Sequence, residues 1–390
     1  MQHFKAILAI SLLMASVFFF SRCFHDNAPA GNDPRGDQYA GSKACMHCHR
    51  ELSNSYAHSN HYKTSAGVIT DSLKKSVALS DDRFYFTDTS YIRIEEKNHF
   101  LFQSYVGNGV ERATEKFDIA FGSAEKAQTY GYWKNGKLYQ LPLTHFAGMH
   151  TWANSPGFPP GRAYFGRVIE SRCFECHASY INKVSVQSGP LSVSEKPDSS
   201  SIVYGIDCER CHGPAAAHVK FQEENPAVTT SKYIVPFKSL SRQQKLDVCA
   251  LCHSGNDRAT QRSLFAFMPG DTLSHFYYPD FGAGSPEPDV HGKQLQLLER
   301  SECYKKSDLT CTSCHDGHGR EENQLAGFIS QCMNCHPKPV HATGTIPSNG
   351  QNCISCHMPL QSSKIISFNT GAGLKNIPYF IRTHKIAIYK

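Results

Sequence analysis

Seven times in this 390-residue chain two cysteines stand three positions apart with a histidine directly after the second. The copies are Cys45/Cys48/His49, Cys173/Cys176/His177, Cys208/Cys211/His212, Cys249/Cys252/His253, Cys311/Cys314/His315, Cys332/Cys335/His336 and Cys353/Cys356/His357, here motifs 1 to 7 in chain order. The last three start 21 residues apart each time. In a helical turn, positions i, i+3 and i+4 share one face. Two thiols so placed can each add to one vinyl group of a single porphyrin, and the following imidazole lies under the iron as its proximal ligand. Zinc also uses C-x-x-C pairs, but it gives no reason for a histidine after every pair. With 16 Cys and 21 His in the chain, composition alone predicts about 0.03 matches to the pattern. The chemistry indicated is seven covalently attached haem c groups, each with an iron.

The rest of the composition suits a protein that holds them. Hydrophobic residues make up 40% and charged residues 19%, as in a soluble globular protein of two or more domains. Fourteen cysteines belong to the motifs, so only Cys23 and Cys303 stand outside them. Cys303 reads either as a buried inert thiol or as a group with a haem or redox role. The formal charge of +6 would suggest an acidic partner. Seven haems add about 14 propionate charges and, when ferric, about seven positive ones, leaving about −1 oxidised and about −8 reduced. With no Lys/Arg run either, nucleic acid is not an expected partner.

Those motifs must be delivered and positioned by the remaining sequence. Residues 1–22 read as an export signal or membrane anchor, with Lys5 ahead of an apolar run from Ala6 to Phe20. Cys23 then opens a flexible linker, 23–37. The Cys fits a lipoprotein signal, whereas Arg22 departs from that pattern; simple cleavage and an uncleaved anchor are the alternatives. Each places the domain in the bacterial periplasm or outer envelope, attached to a membrane by lipid or by the N-terminal segment. A first haem segment covers 38–81. Residues 82–150 lack the motif and alternate apolar residues at period two, as at Ile92/Ile94 and Phe100/Phe102. They predict a β-rich module of four to six strands, with Asn135-Gly136 as a tight hairpin turn. Residues 151–165 read as an irregular loop, and Gln187 to Ser201 as an exposed one. Residues 151–390 form a six-haem domain of short helices and loops.

Several stretches resemble the multihaem c-type cytochromes related to the tetrahaem cytochrome of ammonia-oxidising bacteria. They are Gly41-Ser-x-x-Cys-x-x-Cys-His with Ser59-Asn-His61, Cys211-His-Gly-Pro with His218, and Val290-His-Gly-Lys-Gln294. Leu309-Thr-Cys-Thr-Ser-Cys-His-Asp-Gly-His318, Cys356-His-Met-Pro and Ile381-Arg-Thr-His-Lys-Ile386 complete the set. The resemblance implies a mostly irregular and α-helical multihaem cytochrome fold, here with the small β-rich module inserted. It also implies that His61, His218, His291, His318, His341 and His384 are distal iron ligands. His150 is the choice for the seventh, with His145, His58 and His275 behind it. His47 and His99 are expected to stay unligated. His318 lies three residues after His315, and His218 six after His212. Neither reaches easily around a porphyrin to its own haem, so each is expected to serve a neighbouring one.

An electron carrier closes both axial positions of its irons, whereas a haem enzyme keeps one open. Enough histidines exist to close all seven, and no catalytic residue is assigned. The expected function is a heptahaem cytochrome carrying electrons between redox proteins of the envelope. The alternative is an oxidoreductase acting on a small nitrogen or sulfur compound at a five-coordinate haem. No C-x-x-C-Lys variant of the motif is present.

Overall fold

Alternation at period two builds the β-rich part of the molecule. The computed structural model describes residues 33–69, 83–279, 287–319, 325–339, 341, 352–371 and 376–389. The export segment, Cys23 and most of the linker lie outside these. In β2 (Arg83–Thr87), Phe84 and Phe86 point inward between outward-facing neighbours, and in β3 (Ser90–Lys97) Ile92 and Ile94 do the same. Together with β4 (Phe100–Gly107) and β5 (Val110–Lys116) they form an antiparallel meander in the order β2-β3-β4-β5. The turns at Asn98-His99 (φ 52° and 64°) and Asn108-Gly109 (φ 51° and 75°) supply the two left-handed residues of a type I′ hairpin.

A second, seven-stranded sheet runs β1 (Ser65–Gly67), β6 (Ile119–Phe121), β7 (Ala127–Lys134), β8 (Lys137–Gln140) and β11 (Val168–Ile169). From β7, β9 (Leu143–Phe146) and then β10 (Thr151–Asn154) branch off. Asn135-Gly136, at φ 53° and 71°, closes the β7–β8 hairpin. The two sheets share one core, in which Phe84, Phe86 and Leu101 meet Tyr130, Leu143 and Trp152. Gln103 is fully buried within it. Its amide donates to the Leu143 carbonyl at 3.1 Å and accepts from the Leu143 N–H at 3.0 Å. One side chain thereby replaces a missing strand partner between β4 and β9.

Nine strands lie between residues 83 and 154, more than the four to six expected for 82–150. All residues of β6 and β9 are buried, so these strands carry no alternation to read. Strands β1 and β11 join the sheet from outside the expected boundaries, and β10 occupies the start of the expected 151–165 loop.

The remainder consists of short helices carrying the motifs, joined by small hairpins. β12 (Ala178–Tyr180) pairs with β15 (Val203–Tyr204). β13 (Lys183–Gly189) and β14 (Ser192–Pro197) form an exposed hairpin where an exposed loop was expected over Gln187–Ser201. β16 (Leu360–Asn369) and β17 (Asn376–Arg382) form another. Among the described residues no helix is long and apolar enough to cross a membrane.

Replacing Gln103 by Leu leaves the Leu143 N–H and C=O buried without partners. The expected loss is about 2–4 kcal/mol, read as a lower denaturant midpoint of the full-length protein.

Candidate haem-binding array

Local hydrogen bonding sets each motif as its spacing requires. Motifs 2, 3, 4 and 7 lie within the helices Ser171–His177, Cys208–His212, Arg242–His253 and Cys353–His357. In the other three the histidine N–H donates to the carbonyl of the first cysteine: His49 to Cys45 at 2.9 Å, His315 to Cys311 at 3.0 Å and His336 to Cys332 at 3.0 Å. Both thiols and the imidazole therefore share a face in each copy. Asp207 and Asn352, directly before the first cysteine of motifs 3 and 7, accept from Arg210 N and Ser355 N and cap those helices.

The spacing treats the two thiols of a motif alike, but the fold does not. In motif 1, Cys45 is half-buried, whereas Cys48 is exposed. The cause is local. The helix Ser42–Cys48 ends at Cys48, and His49 leaves helical geometry at φ −100° and ψ 47°. Cys48 and His49 thus stand at the open end of the turn, both exposed, while Cys45 is covered by motif 3. Cys173, Cys335 and Cys356 are exposed likewise, each beside a half-buried or better-covered motif partner.

Four of the seven motif histidines face a second imidazole from a distant stretch. His253 faces His61 with ring centroids 6.1 Å apart, and His212 faces His318 at 5.9 Å with rings within 6° of parallel. His315 faces His384 at 6.1 Å, and His357 faces His341 at 6.2 Å. A fifth, His177, lies within electrostatic reach of His291. An iron with a nitrogen about 2 Å away on each side, each about 1.1 Å from its ring centre, sets two imidazole centroids about 6.2 Å apart. The four observed separations, 5.9 to 6.2 Å, fit that arrangement. His318 faces His212 of motif 3, not His315 beside it in sequence.

The other candidates are placed differently. His218 is half-buried, with Nδ1 2.9 Å from the Lys232 carbonyl. His150 sits exposed at a left-handed turn (φ 46°) and interacts with buried His145, which packs edge-on against Trp152. His58 places Nδ1 2.8 Å from the Asn54 carbonyl, and His275 is exposed in a short 3-10 turn. His47 and His99 are exposed. Cys303 lies in the electrostatic reach of Cys314, Cys332 and Cys335, between motifs 5 and 6.

The motif imidazoles are also oriented from behind, as ligating histidines usually are. His177 Nδ1 lies 3.1 Å from Thr64 Oγ1, and His357 Nδ1 lies 2.9 Å from the Ala387 carbonyl. His212 is hydrogen-bonded to the Val235 backbone. The β sheet takes part directly. Strand β1 follows Thr64, whose carbonyl accepts from Gly122 N, and Phe121 of β6 packs edge-on against both Phe174 and His177.

Distal candidates are held by long-range contacts. Ile206 N donates to the His61 carbonyl at 3.0 Å, just before motif 3. Gly205, at φ +65°, lets the backbones approach there; a Cβ on it would meet the Tyr62 carbonyl at 2.0 Å. Buried Asp289 accepts from His291 N, Ser363 Oγ and Lys364 N, tying His291 to β16. Buried Ser301 Oγ accepts from Ile386 N at 2.8 Å and so fixes the tail beside His384.

A buried charge clamp was not visible in the sequence. Arg35 pairs with Asp33, Asp207 and Glu209 at 2.9, 2.7 and 3.0 Å. Glu209 also accepts from Ala40 N, Gly41 N and Ala215 N. Burial raises the Glu209 carboxyl, and these donors with Arg35 pull it back. For Asp33 burial again raises the carboxyl, but Arg35 outweighs it and holds it below the ordinary range. The clamp seats the start of motif 1 on motif 3. The only local sign of it was the charged pair inside Cys208-Glu-Arg-Cys211.

No family profile matches the chain. Over 201 residues it is 26% identical to the multiheme cytochrome MtrA of Shewanella baltica, covering 50% of this chain and 54% of that one. The match thus spans about half the length of that relative. The crystal structure of the outer cell wall cytochrome OcwA superposes with a TM-score of 0.50 over 90% of this chain and 80% of the other, at 16% identity. The chain is similar to multihaem cytochromes. It carries the haem-attachment motif seven times over and shares the fold of OcwA.

Burial depresses the basicity of several motif imidazoles. His253 is pushed down to about 4, first by burial and then by facing His61. Burial also lowers His177, His212 and His291.

Proposed function

We propose that the chain carries seven haem c groups, one on each C-x-x-C-H motif, and relays electrons along them between redox proteins of the bacterial cell envelope. The observation that carries the reading is the set of four imidazole pairs at the spacing of an iron bound on both faces. Bound haem supplies reversible one-electron chemistry at iron. The protein's part is to hold, orient and enclose. The thiols anchor each group, Cys45 and Cys48 at motif 1 among them. His49, His177, His212, His253, His315, His336 and His357 would hold the irons as proximal ligands. His61, His318, His384, His341 and His291 would be the second ligands at motifs 4, 3, 5, 7 and 2, and His218 and His150 are proposed for the remaining two. Thr64, Val235 and Ala387 would orient ligating rings through their other nitrogen.

Two nitrogen ligands per iron keep ferric iron low-spin and leave no position for a small molecule. That favours relay over substrate chemistry. The fold shared with an outer cell wall cytochrome supports an envelope location, in keeping with the apolar N-terminal segment before Cys23.

The intact mass of the mature protein, produced with haem maturation, should show seven haem additions. A folded, haem-free product sinks the reading. The ferric protein should be low-spin throughout. His384→Ala should keep all seven additions yet gain one high-spin haem that binds carbon monoxide when reduced. A high-spin haem that binds nitrite or hydroxylamine in the unmutated protein replaces relay by catalysis.

A further inference from the structure

Motif 3 alone among the seven carries two opposite charges between its cysteines, Glu209 and then Arg210. Both side chains are buried, and they go to different neighbours. Glu209 turns to motif 1. It accepts Ala40 N and Gly41 N at 2.8 and 2.9 Å and shares Arg35 with Asp33 and Asp207. Three carboxylates around one guanidinium leave this side net negative.

Arg210 turns to motifs 2 and 4. Its Nη1 donates to the Leu264 carbonyl at 2.9 Å and its Nη2 to the Glu175 carbonyl at 3.2 Å. The same Glu175 oxygen accepts from Cys252 Sγ of motif 4 at 3.7 Å. The Phe265 ring covers the guanidinium, 5.4 Å from its central carbon. Among the described residues this guanidinium bonds carbonyl oxygens only, and Nε is buried without a partner. The Glu175 carboxylate is taken by Arg172, Ser263 Oγ and Leu264 N. Buried Asp247, on the helix of motif 4, spreads its charge over Gln243 Nε2 and Leu273 N. Arg210 is thus a buried cation balanced by no carboxylate in contact with it.

An iron that gains one electron becomes one charge less positive. A buried cation nearby favours that gain, and a buried anion opposes it. A guanidinium stays charged at every working pH, so its effect does not titrate away. We propose that Glu209 and Arg210 form a charge step inside motif 3 that gives the relay a direction, with a lower reduction potential at motif 1 and a higher one at motif 4. Each transfer oxidises one ferrous iron on the motif 1 side and reduces one ferric iron on the motif 4 side, with no further reagent. The inference rests on the haem reading above.

The test is a redox titration of the haem-loaded, full-length protein, with the haems followed one by one by NMR. Arg210→Gln keeps donors for the two carbonyls and drops the charge. It should shift the one-electron equilibrium at motif 4 toward ferric iron by about tenfold (~59 mV), and that at motif 1 by less than about twofold. Arg210→Lys restores the charge and should bring motif 4 back toward the parent value. Glu209→Gln should shift motif 1 toward ferrous iron by about tenfold. Intact mass should show seven haems in each variant. An unchanged motif 4 in Arg210→Gln, an equal shift at motifs 1 and 4, or no recovery with lysine overturns the charge step. Should Arg210→Gln lose a haem, Glu209→Gln decides: a shift at motif 1 supports the step, and none overturns it. A parent protein with its higher potential at motif 1 overturns the direction. Absence of covalent haem from the unmutated protein defeats the haem reading itself, a result distinct from all of these.

Discussion

Two imidazoles facing each other across about 6 Å form the constraint on which the rest of this structure depends. The C-x-x-C-H turn settles one imidazole by purely local bonding. The other must arrive from elsewhere in the chain and stop at a separation that fits an iron between the two rings. His61 reaches His253, and His384 reaches His315, across long stretches of sequence. Much of the non-motif structure is concerned with bringing these second rings in. The Gly205–Ile206 backbone steadies His61, Asp289 steadies His291, and Ser301 fixes the tail at His384.

Polar groups hold the motifs together where an ordinary domain would use aliphatic packing. Arg35 among three buried carboxylates is one case. Glu175 is another: its carboxylate accepts from Arg172, Ser263 Oγ and Leu264 N, while its carbonyl accepts from Arg210 and Cys252. Such pairs contribute little net stability over apolar packing, but removing one partner leaves a buried charge and costs about 3–5 kcal/mol. Their directional bonds fix position, and position governs how closely neighbouring motifs meet. The two variable residues inside C-x-x-C-H thereby acquire a role, since Glu175, Glu209 and Arg210 all occupy them.

What could be read in the sequence follows from how local each cause is. The motif is local chemistry at fixed spacing, so all seven copies were plain. How deeply each thiol sits is not local, and spacing could not separate half-buried Cys45 from exposed Cys48. Type I′ turns are local too, and Asn135-Gly136 declared its hairpin. Alternation exposed β2 and β3 but not β6 or β9, which are buried on both faces. In β13 and β14 the alternation of Val184 and Val186 was masked by the Ser-rich composition of the hairpin. The pairing of distant histidines lies beyond spacing arguments altogether. Proximity in sequence excluded His315 as the partner of His318, but only the fold selected His212. The Arg35 clamp was hidden for the same reason, since Asp207 and Glu209 lie more than 170 residues from Arg35.

The distribution of apolar burial suggests why the array and the β sheets belong to one molecule. Buried hydrophobic clusters serve the paired sheets, the wall around Phe121 and Phe174, and the helix of motif 4. Among the described residues of motifs 5 to 7, by contrast, Ile354 is the large apolar side chain that is buried. That end is held by straps: Ala387 N bonds the His357 carbonyl, Thr383 N the Pro359 carbonyl, and Arg382 the carbonyls of Ile354 and Met358. Straps of this kind fix backbone without filling space. On the haem reading, porphyrin faces would supply the missing apolar volume, and the tail that carries His384 beside His315 is the one that orients His357. The sheet-backed end of the array then owes its order to the polypeptide, whereas the motif 5 to 7 end owes it to its ligands.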